Sequence, residues 1–202
     1  ILLVSPLLLW AENLTLFRAK KIQATPYNSY TPGQILVKDG IIVKIGKSIE
    51  YPKECKIVEW KDLEIYPGLI SPGSSLGLAE INALRATRDL SEVGTHTPEV
   101  ESWVAINPDS ELIPVARANG VTHSLIIPMG GTISGTSGFV MLNGWGIEEM
   151  TLRKKVALHL WWPGHGLTFP QPHDKKDPTP KSIEEQIKER KKRILEIDEF
   201  FD

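Results

Sequence analysis

The sequence is poor in cysteine, in net charge and in long apolar runs. Cys55 is the single cysteine among 202 residues, which excludes an internal disulfide and a cysteine-based zinc cluster. The 23 Lys and Arg side chains nearly balance the 25 Asp and Glu side chains, giving a net charge of -2. This balance gives no electrostatic basis for a nucleic-acid partner. Hydrophobic residues make up 41% of the chain, which is typical of a folded domain.

The longest apolar run lies at the start, where residues 1–10 read ILLVSPLLLW and the small residue Ala11 follows. A membrane-spanning helix needs about 20 apolar residues, so this run is too short to cross a bilayer. An apolar run that ends in a small residue is typical of a signal peptide. We predict that residues 1–11 are a signal-peptide remnant and that the protein is exported, periplasmic or secreted, without stable membrane insertion after processing. The alternative is a buried N-terminal strand.

The rest of the chain changes its pattern near Pro67. Apolar runs that predict strands occupy residues 14–22, 34–38, 41–46, 56–60, 68–71, 121–128, 137–142 and 156–162. Asp39-Gly40 predicts the turn of a hairpin. Residues 109–119 read as a helix that Gly120 ends. Alternation of strands and helices after Pro67 predicts an α/β fold with a parallel sheet and crossovers.

The last segment predicts a helix that continues to the end of the sequence. Ser182 and Glu185 form a capping-box pattern, and apolar residues then recur at helical spacing. No Gly, Asn or Pro stops the helix before Asp202. We therefore expect the sequence to end inside an element and to be the N-terminal fragment of a longer protein.

Residues 35–46, together with Tyr66-Pro67-Gly68-Leu69-Ile70, resemble the entry to the amidohydrolase superfamily. Residues 105–122 and the glycine-rich run 128–138 are similar to its imidazolonepropionase-like branch. The resemblance implies a small β-sandwich that leads into a (β/α)8 TIM-type barrel. Residues 12–66 would then be part of the sandwich, and residues 67–202 the first βα units of an incomplete barrel, since a complete one takes about 250 residues.

The resemblance also implies a function. Members of this family hydrolyse C–N bonds in small non-peptide amides or cyclic amides, with a metal that activates water. The family's metal-binding histidine pair falls on Gly73 and Ser75, neither of which is a good zinc ligand. The expected metal site is therefore degenerate, and we expect this chain alone to be inactive. One divalent metal, zinc by preference, would be bound in the full-length protein by ligands on later strands.

Two other functions remain open on the same residues. The first is a catalytically inactive homologue that serves as a binding or assembly module, as a homo-oligomer or paired with an active homologue. The second is a serine hydrolase, because Gly73-Ser74-Ser75-Leu76-Gly77 matches the G-x-S-x-G nucleophile elbow. Ser75 would then be the nucleophile, a helix would follow over residues 76–89, and His159 or His165 would be the base.

The remaining candidate residues come from loops and strand ends. His159 lies on an apolar run, and His165 follows it in a loop, where barrel enzymes place functional groups. Glu80 and His96 are candidate substrate-binding residues, with a helix cap as the alternative role. The glycine-rich run 130–138 can offer backbone N–H groups to an anion or cover the barrel mouth as a loop.

Overall fold

The computed structural model describes residues 14–81, 84–164 and 181–202. The chain divides into two compact units, of which the first ends at Pro67 and the second begins at Gly68. The predicted signal-peptide remnant and His165 lie outside the described residues. Of the helices in the described ranges, none is both long enough and apolar enough for a membrane crossing.

The first unit contains one five-stranded sheet. Its strands are β1 (Leu14–Gln23), β2 (Ser29–Tyr30), β3 (Gly33–Lys38), β4 (Ile41–Gly46) and β5 (Lys56–Ile65). β1 is antiparallel to β2 and β3 and parallel to β5, while β3 is antiparallel to β4. Among residues 14–67 we find this single sheet, so the predicted sandwich stays a prediction.

The turn between β3 and β4 confirms the predicted hairpin. Asp39 has a φ of 49° and Gly40 a φ of 82°, so both central residues adopt the left-handed conformation that a type I′ turn requires. Asp tolerates this conformation and Gly adopts it without strain. The local sequence therefore determines where the chain reverses.

Apolar clusters lie on both faces of this sheet. Leu16, Leu36, Ile49 and Cys55 form one cluster, and Ala19, Ile22 and Ile35 form another. Ala19 and Ile22 share a cluster although an uninterrupted strand would put them on opposite faces. The pairing with β5 shifts register here: the step from Ala19 to Lys21 in β1 is opposite the longer step from Trp60 to Glu64, so the extra residues of this β-bulge lie in β5.

The described residues of the second unit form six strands, three α-helices and two short 3₁₀ turns. The strands are β6 (Leu69–Ser74), β7 (Val121–Ile126), β8 (Ile133–Thr136), β9 (Gly138–Met141), β10 (Thr151–Arg153) and β11 (Leu158–Leu160). The α-helices are α1 (Leu112–Ala118), α2 (Ile147–Met150) and α3 (Ile183–Phe201), and the 3₁₀ turns cover Arg85–Thr87 and Ser102–Ala105.

The described strands of this unit form two sheets. β6 and β7 are parallel, with α1 between them in sequence, which is one βα repeat of the predicted kind. β9 and β10 extend that sheet antiparallel to their neighbours, and β11 pairs antiparallel with β8. The prediction of a parallel sheet is therefore correct for β6 and β7 and wrong for the later strands. The connection from β7 to β9 is too short for a helical crossover, so the chain turns back.

Two further predictions for this unit are wrong. The described residues between 76 and 89 do not form the predicted α-helix: an antiparallel bridge joins Ala79 to Arg88, and Asp89 N–H donates to the Leu78 carbonyl at 2.7 Å. Gly77, with a φ of 80°, turns the chain at the start of this segment. The predicted buried strand 156–162 is only three residues long, and Leu158 is 40% exposed. An edge position in a two-stranded sheet leaves one side of β11 unpaired.

Among the described residues, the core of the second unit contains no side chain of β6. Its buried side chains come from the loop after β6, from a 3₁₀ turn, α1, β7, β9 and α2, and from the residues directly after that turn and β9: Leu78, Trp103, Ile106, Ile113, Ile126, Val140, Leu142 and Met150. At the far end of the chain, Ser182 caps α3 as predicted: its hydroxyl accepts from Glu185 N–H, and the Glu185 carboxylate accepts from Ser182 N–H.

The hairpin turn can be tested with Gly40→Ala. No atom lies within 4 Å of the added Cβ, so we expect a loss of about 1 kcal/mol of unfolding free energy from left-handed strain alone. Gly46→Ala is the matched control, because its Cβ would make ordinary contact with Ile49 Cγ1 at 3.7 Å. Urea denaturation measures both variants. Equal effects of the two substitutions would contradict the assignment of strain to Gly40.

Candidate functional site

The carboxyl ends of β6 and β7 meet at one edge of the sheet. Ser74 Oγ and Ser124 Oγ are 2.8 Å apart and share a hydrogen bond, and Ile127 N–H donates to the Ser74 carbonyl at 2.9 Å. Ser124 is fully buried, so this pairing satisfies a hydroxyl that water cannot reach. Ligand sites of α/β proteins lie at such carboxyl ends, which makes this edge the place to look for a site.

Positions 73 and 75 lie at this edge and do not suit a zinc ion. A Cβ on Gly73 would lie 2.5 Å from Ile127 Cδ1, so the Ile127 side chain occupies the space that a histidine there would enter. Ser75 offers only a neutral hydroxyl, which is a poor zinc ligand. Within the described ranges, no group of three or more His, Cys, Asp or Glu side chains is placed to hold a metal ion.

Ser75 also lacks the surroundings of a serine nucleophile in the part of the chain that the structure describes. Its carbonyl accepts from Leu78 N–H at 2.9 Å in a tight turn, where the nucleophile elbow would require a helix. Its hydroxyl makes no hydrogen bond to a described residue, so no described histidine is positioned to take its proton.

Glu80 takes part in a local network at the start of α1. Its carboxylate accepts from Ser110 Oγ at 2.9 Å and from Asn107 Nδ2 at 3.4 Å. Ser110 Oγ in turn accepts from Leu112 N–H at 3.3 Å, in the first turn of the helix. These contacts at the start of α1 are of the kind expected for the alternative role of Glu80 in a helix cap. The substrate-binding role of Glu80 stays a prediction.

His96 and His159 lie on the two segments that flank β8. His96 is bridged in parallel to Ile133, and its Nδ1 lies 3.2 Å from Thr95 Oγ1. Its ring stacks on Phe200 of α3, with 6.1 Å between centroids. His96 Nε2 is buried and has no hydrogen-bond partner among the described residues.

His159 is on β11, opposite Gly135 of β8. Its Nε2 is also buried without a hydrogen-bond partner among the described residues. Burial lowers the pKa of His159 below its usual value, because the charged imidazolium loses hydration. The shift favours the neutral imidazole, which is the form that accepts a proton. Among the described residues, it makes no hydrogen bond or ion pair with His96, Ser75 or Glu80, and its catalytic role stays a prediction.

A cavity of about 530 Å³ lies between the loops that follow β6 and β7. Leu78 after β6 and Pro128 after β7 both contribute to its wall. Its apolar and acidic lining residues include Leu90, Val100, Trp103, Asp89, Glu92, Glu99 and Glu101. Our sequence interpretation missed these residues. The sequence signal for this cavity was the acidic side chains spread over residues 89–101. They follow no local periodicity, so the sequence does not predict that they surround one cavity.

Glu101 is the most strongly held acidic group of this cavity. Its Oε1 lies 2.7 Å from Lys155 Nζ, and its Oε2 accepts from Trp103 Nε1 at 2.7 Å. Lys154 Nζ lies 4.2 Å from the centroid of the Trp103 ring, in a cation–π contact. The Lys155 hydrogen bond, followed by that of Trp103, lowers the pKa of Glu101 below its usual value.

Comparisons with known proteins find two amidohydrolases that are similar to this chain. No protein-family model matches the chain. In sequence, the chain is 26% identical over 121 residues to the Amidohydrolase tasK of Hapsidospora irregularis, a match that covers 58% of this chain and 12% of that protein. In structure, it matches a crystal structure of an amidohydrolase from Thermotoga maritima MSB8 with a TM-score of 0.63 and 26% identity, over 72% of this chain and 38% of that one.

Both matches support a relationship to the amidohydrolase superfamily and a general hydrolase-like function. The chain spans 12% and 38% of the lengths of these two proteins, so it corresponds to a minor part of each. The described residues are mostly β-sheet with few helices. The amidohydrolase relationship is thus supported, whereas the imidazolonepropionase-like branch and the incomplete barrel remain predictions.

The contact between Glu101 and Lys155 predicts a pH dependence of stability. Because the folded-state pKa of Glu101 is lowered, its contribution is present above the unfolded pKa and is lost as the pH falls through the folded pKa. We expect Lys155→Gln to reduce the fall in unfolding free energy between about pH 7 and about pH 3, measured by urea denaturation. Glu101→Gln should abolish this effect of Lys155→Gln.

Lys188→Gln is the control for the loss of one positive charge, since it changes an exposed side chain of α3. It should leave the pH dependence as in the unsubstituted protein. A Lys155→Gln variant with an unchanged pH dependence would contradict the assigned contact.

Proposed function

We propose that the chain is the N-terminal part of an amidohydrolase-like hydrolase that acts on C–N bonds in small non-peptide amides or cyclic amides. The observation that supports this most strongly is the structural match to the Thermotoga maritima amidohydrolase, which covers 72% of this chain. The sequence match to tasK is an independent support. Because the chain covers a minor part of both proteins, the activity is proposed for the full-length protein, and this chain alone is expected to be inactive.

The parallel β6–α1–β7 unit suits this function. It is the repeating unit of a (β/α)8 barrel, and we propose that β6 is the first barrel strand of the full-length protein. Barrel enzymes bind their substrates at the carboxyl ends of the strands. The cavity beside Leu78 and Pro128 follows the carboxyl ends of β6 and β7 and is large enough for a small-molecule substrate.

A metal in the full-length protein would need ligands other than positions 73 and 75. The Ile127 side chain beside Gly73 and the hydroxyl of Ser75 do not fit zinc. We therefore propose a degenerate metal site, with at most one divalent metal held by residues outside this chain. Such a metal, if bound, would polarise a carbonyl and lower the pKa of a water molecule. The residues of this chain would contribute the wall of the site.

The second candidate function is a catalytically inactive homologue that binds a small molecule or assembles with an active homologue. The packing of Ile127 beside Gly73 favours it, because an apolar side chain fills a place where the family binds a metal. The serine-hydrolase alternative has less support, since the helix required after Ser75 is replaced by a turn. Export, and homo-oligomer formation or pairing with a homologue, remain proposals from the sequence.

A metal analysis and an activity screen of the full-length protein test the proposal. We expect at most one bound divalent metal per chain. We also expect the protein to release amine or ammonia from members of a panel of small amides and cyclic amides, and we expect a chelator to abolish this release. Ser75→Ala should retain this turnover. A metal-free protein without turnover on the panel would favour the inactive homologue. Labelling by a fluorophosphonate that Ser75→Ala prevents would favour the serine hydrolase.

A further inference from the structure

A second cavity, of about 480 Å³, lies between the glycine-rich turn before β8 and helix α3. It is distinct in position from the cavity at the ends of β6 and β7, since the two share no lining residue. Gly131 and Thr132 line it from the turn, and Lys192 and Arg193 line it from the helix.

The turn contributes hydrogen-bond donors that the described residues do not use. Thr132 is only 6% exposed, its N–H donates to the Thr95 carbonyl at 2.7 Å, and its own carbonyl accepts from Trp161 N–H at 2.8 Å. The Thr132 hydroxyl is its remaining polar group and has no partner among the described residues. The N–H of Gly131 likewise makes no hydrogen bond to a described residue.

Only glycine fits at position 131. Its φ is 61°, and an added Cβ would lie 2.7 Å from the Thr95 carbonyl oxygen and 2.9 Å from that of Gly94. Both are backbone atoms, which cannot move aside as a side chain can. The sequence Gly130-Gly131-Thr132 therefore allows the turn to approach the Thr95 segment closely, and this approach forms one wall of the cavity.

The helix contributes an unbalanced positive charge. Two carboxylates face the cavity, but each has its own cation: Glu189 pairs with Lys181, and Glu196 pairs with Lys192 at 3.6 Å. Arg193 has no ion pair within the described ranges. The hydrogen bond from Lys181 lowers the pKa of Glu189 below its usual value, and the positive charges of Arg193 and Lys192 add to this effect. All three cations therefore interact with the same carboxylate of the cavity.

We propose that this cavity binds a small oxyanion, a carboxylate or phosphate group, between the Arg193 guanidinium and the Thr132 hydroxyl. The planar guanidinium presents paired donors that match two oxygens of such a group. The hydroxyl of Thr132 and the N–H of Gly131 supply further donors from the opposite wall. The proposal is independent of the hydrolytic function and does not require turnover.

Calorimetric titration of the full-length protein with inorganic phosphate, and separately with acetate, tests the proposal. We expect saturable binding of at least one anion and a loss of affinity of about fivefold in Arg193→Gln, which removes one charge-assisted contact. Thr132→Val keeps the shape of the side chain and removes the hydroxyl, and should also weaken binding. A preference for phosphate assigns a phosphate ester as ligand, and a preference for acetate assigns a carboxylate.

Lys191→Gln is the matched control, because it removes one positive charge from the neighbouring position of α3, which does not line the cavity. It should bind the preferred anion as the unsubstituted protein does. Circular dichroism checks that Thr132→Val retains its fold. Arg193 is exposed, so Arg193→Gln does not disturb the core. Absence of saturable binding, or equal weakening by Lys191→Gln and Arg193→Gln, would overturn the proposal.

Discussion

The hydrogen bond between the hydroxyls of Ser74 and Ser124 lies where β6 and β7 end side by side. Ser124 is fully buried, so a shift of register between these strands would leave its hydroxyl without a partner. The parallel register in turn places Gly73, Ser75 and Ile127 at one edge of the sheet. β7 also carries fully buried Ile126 into the core of the second unit. The candidate site therefore depends on this one pairing.

Features that depend on adjacent residues were predictable from the sequence. Asp39-Gly40 forms a turn because its two residues tolerate positive φ, and Ser182 caps α3 because Glu185 follows at the required spacing. The predicted helix over residues 76–89 was wrong because the structure there does not depend on adjacent residues alone. Its composition permits a helix, but the bridge from Ala79 to Arg88 depends on tertiary packing that no local period shows.

The candidate site was only partly predictable. The absence of histidines at Gly73 and Ser75 is visible in the sequence, but the filling of the adjacent space by Ile127 is visible only in three dimensions. Arg193 and Thr132 reach one cavity from distant segments. The glycine-rich run 130–138 that contains Thr132 is visible in the sequence, but nothing in the sequence places Arg193 beside it. A fold shared with amidohydrolases is thus compatible with an altered chemistry, since function depends on the side chains of the site.

The distance in sequence between β6 and β7 has a consequence for synthesis of the protein on the ribosome. Ser74 and Ser124 are 50 residues apart, so at about 5–20 residues per second β6 waits several seconds for its partner to be made. During this interval the backbone of β6 and the hydroxyl of Ser74 lack the partners that β7 supplies in the folded chain. An unpaired strand edge of this kind is open to chaperone binding and to aggregation until β7 is made.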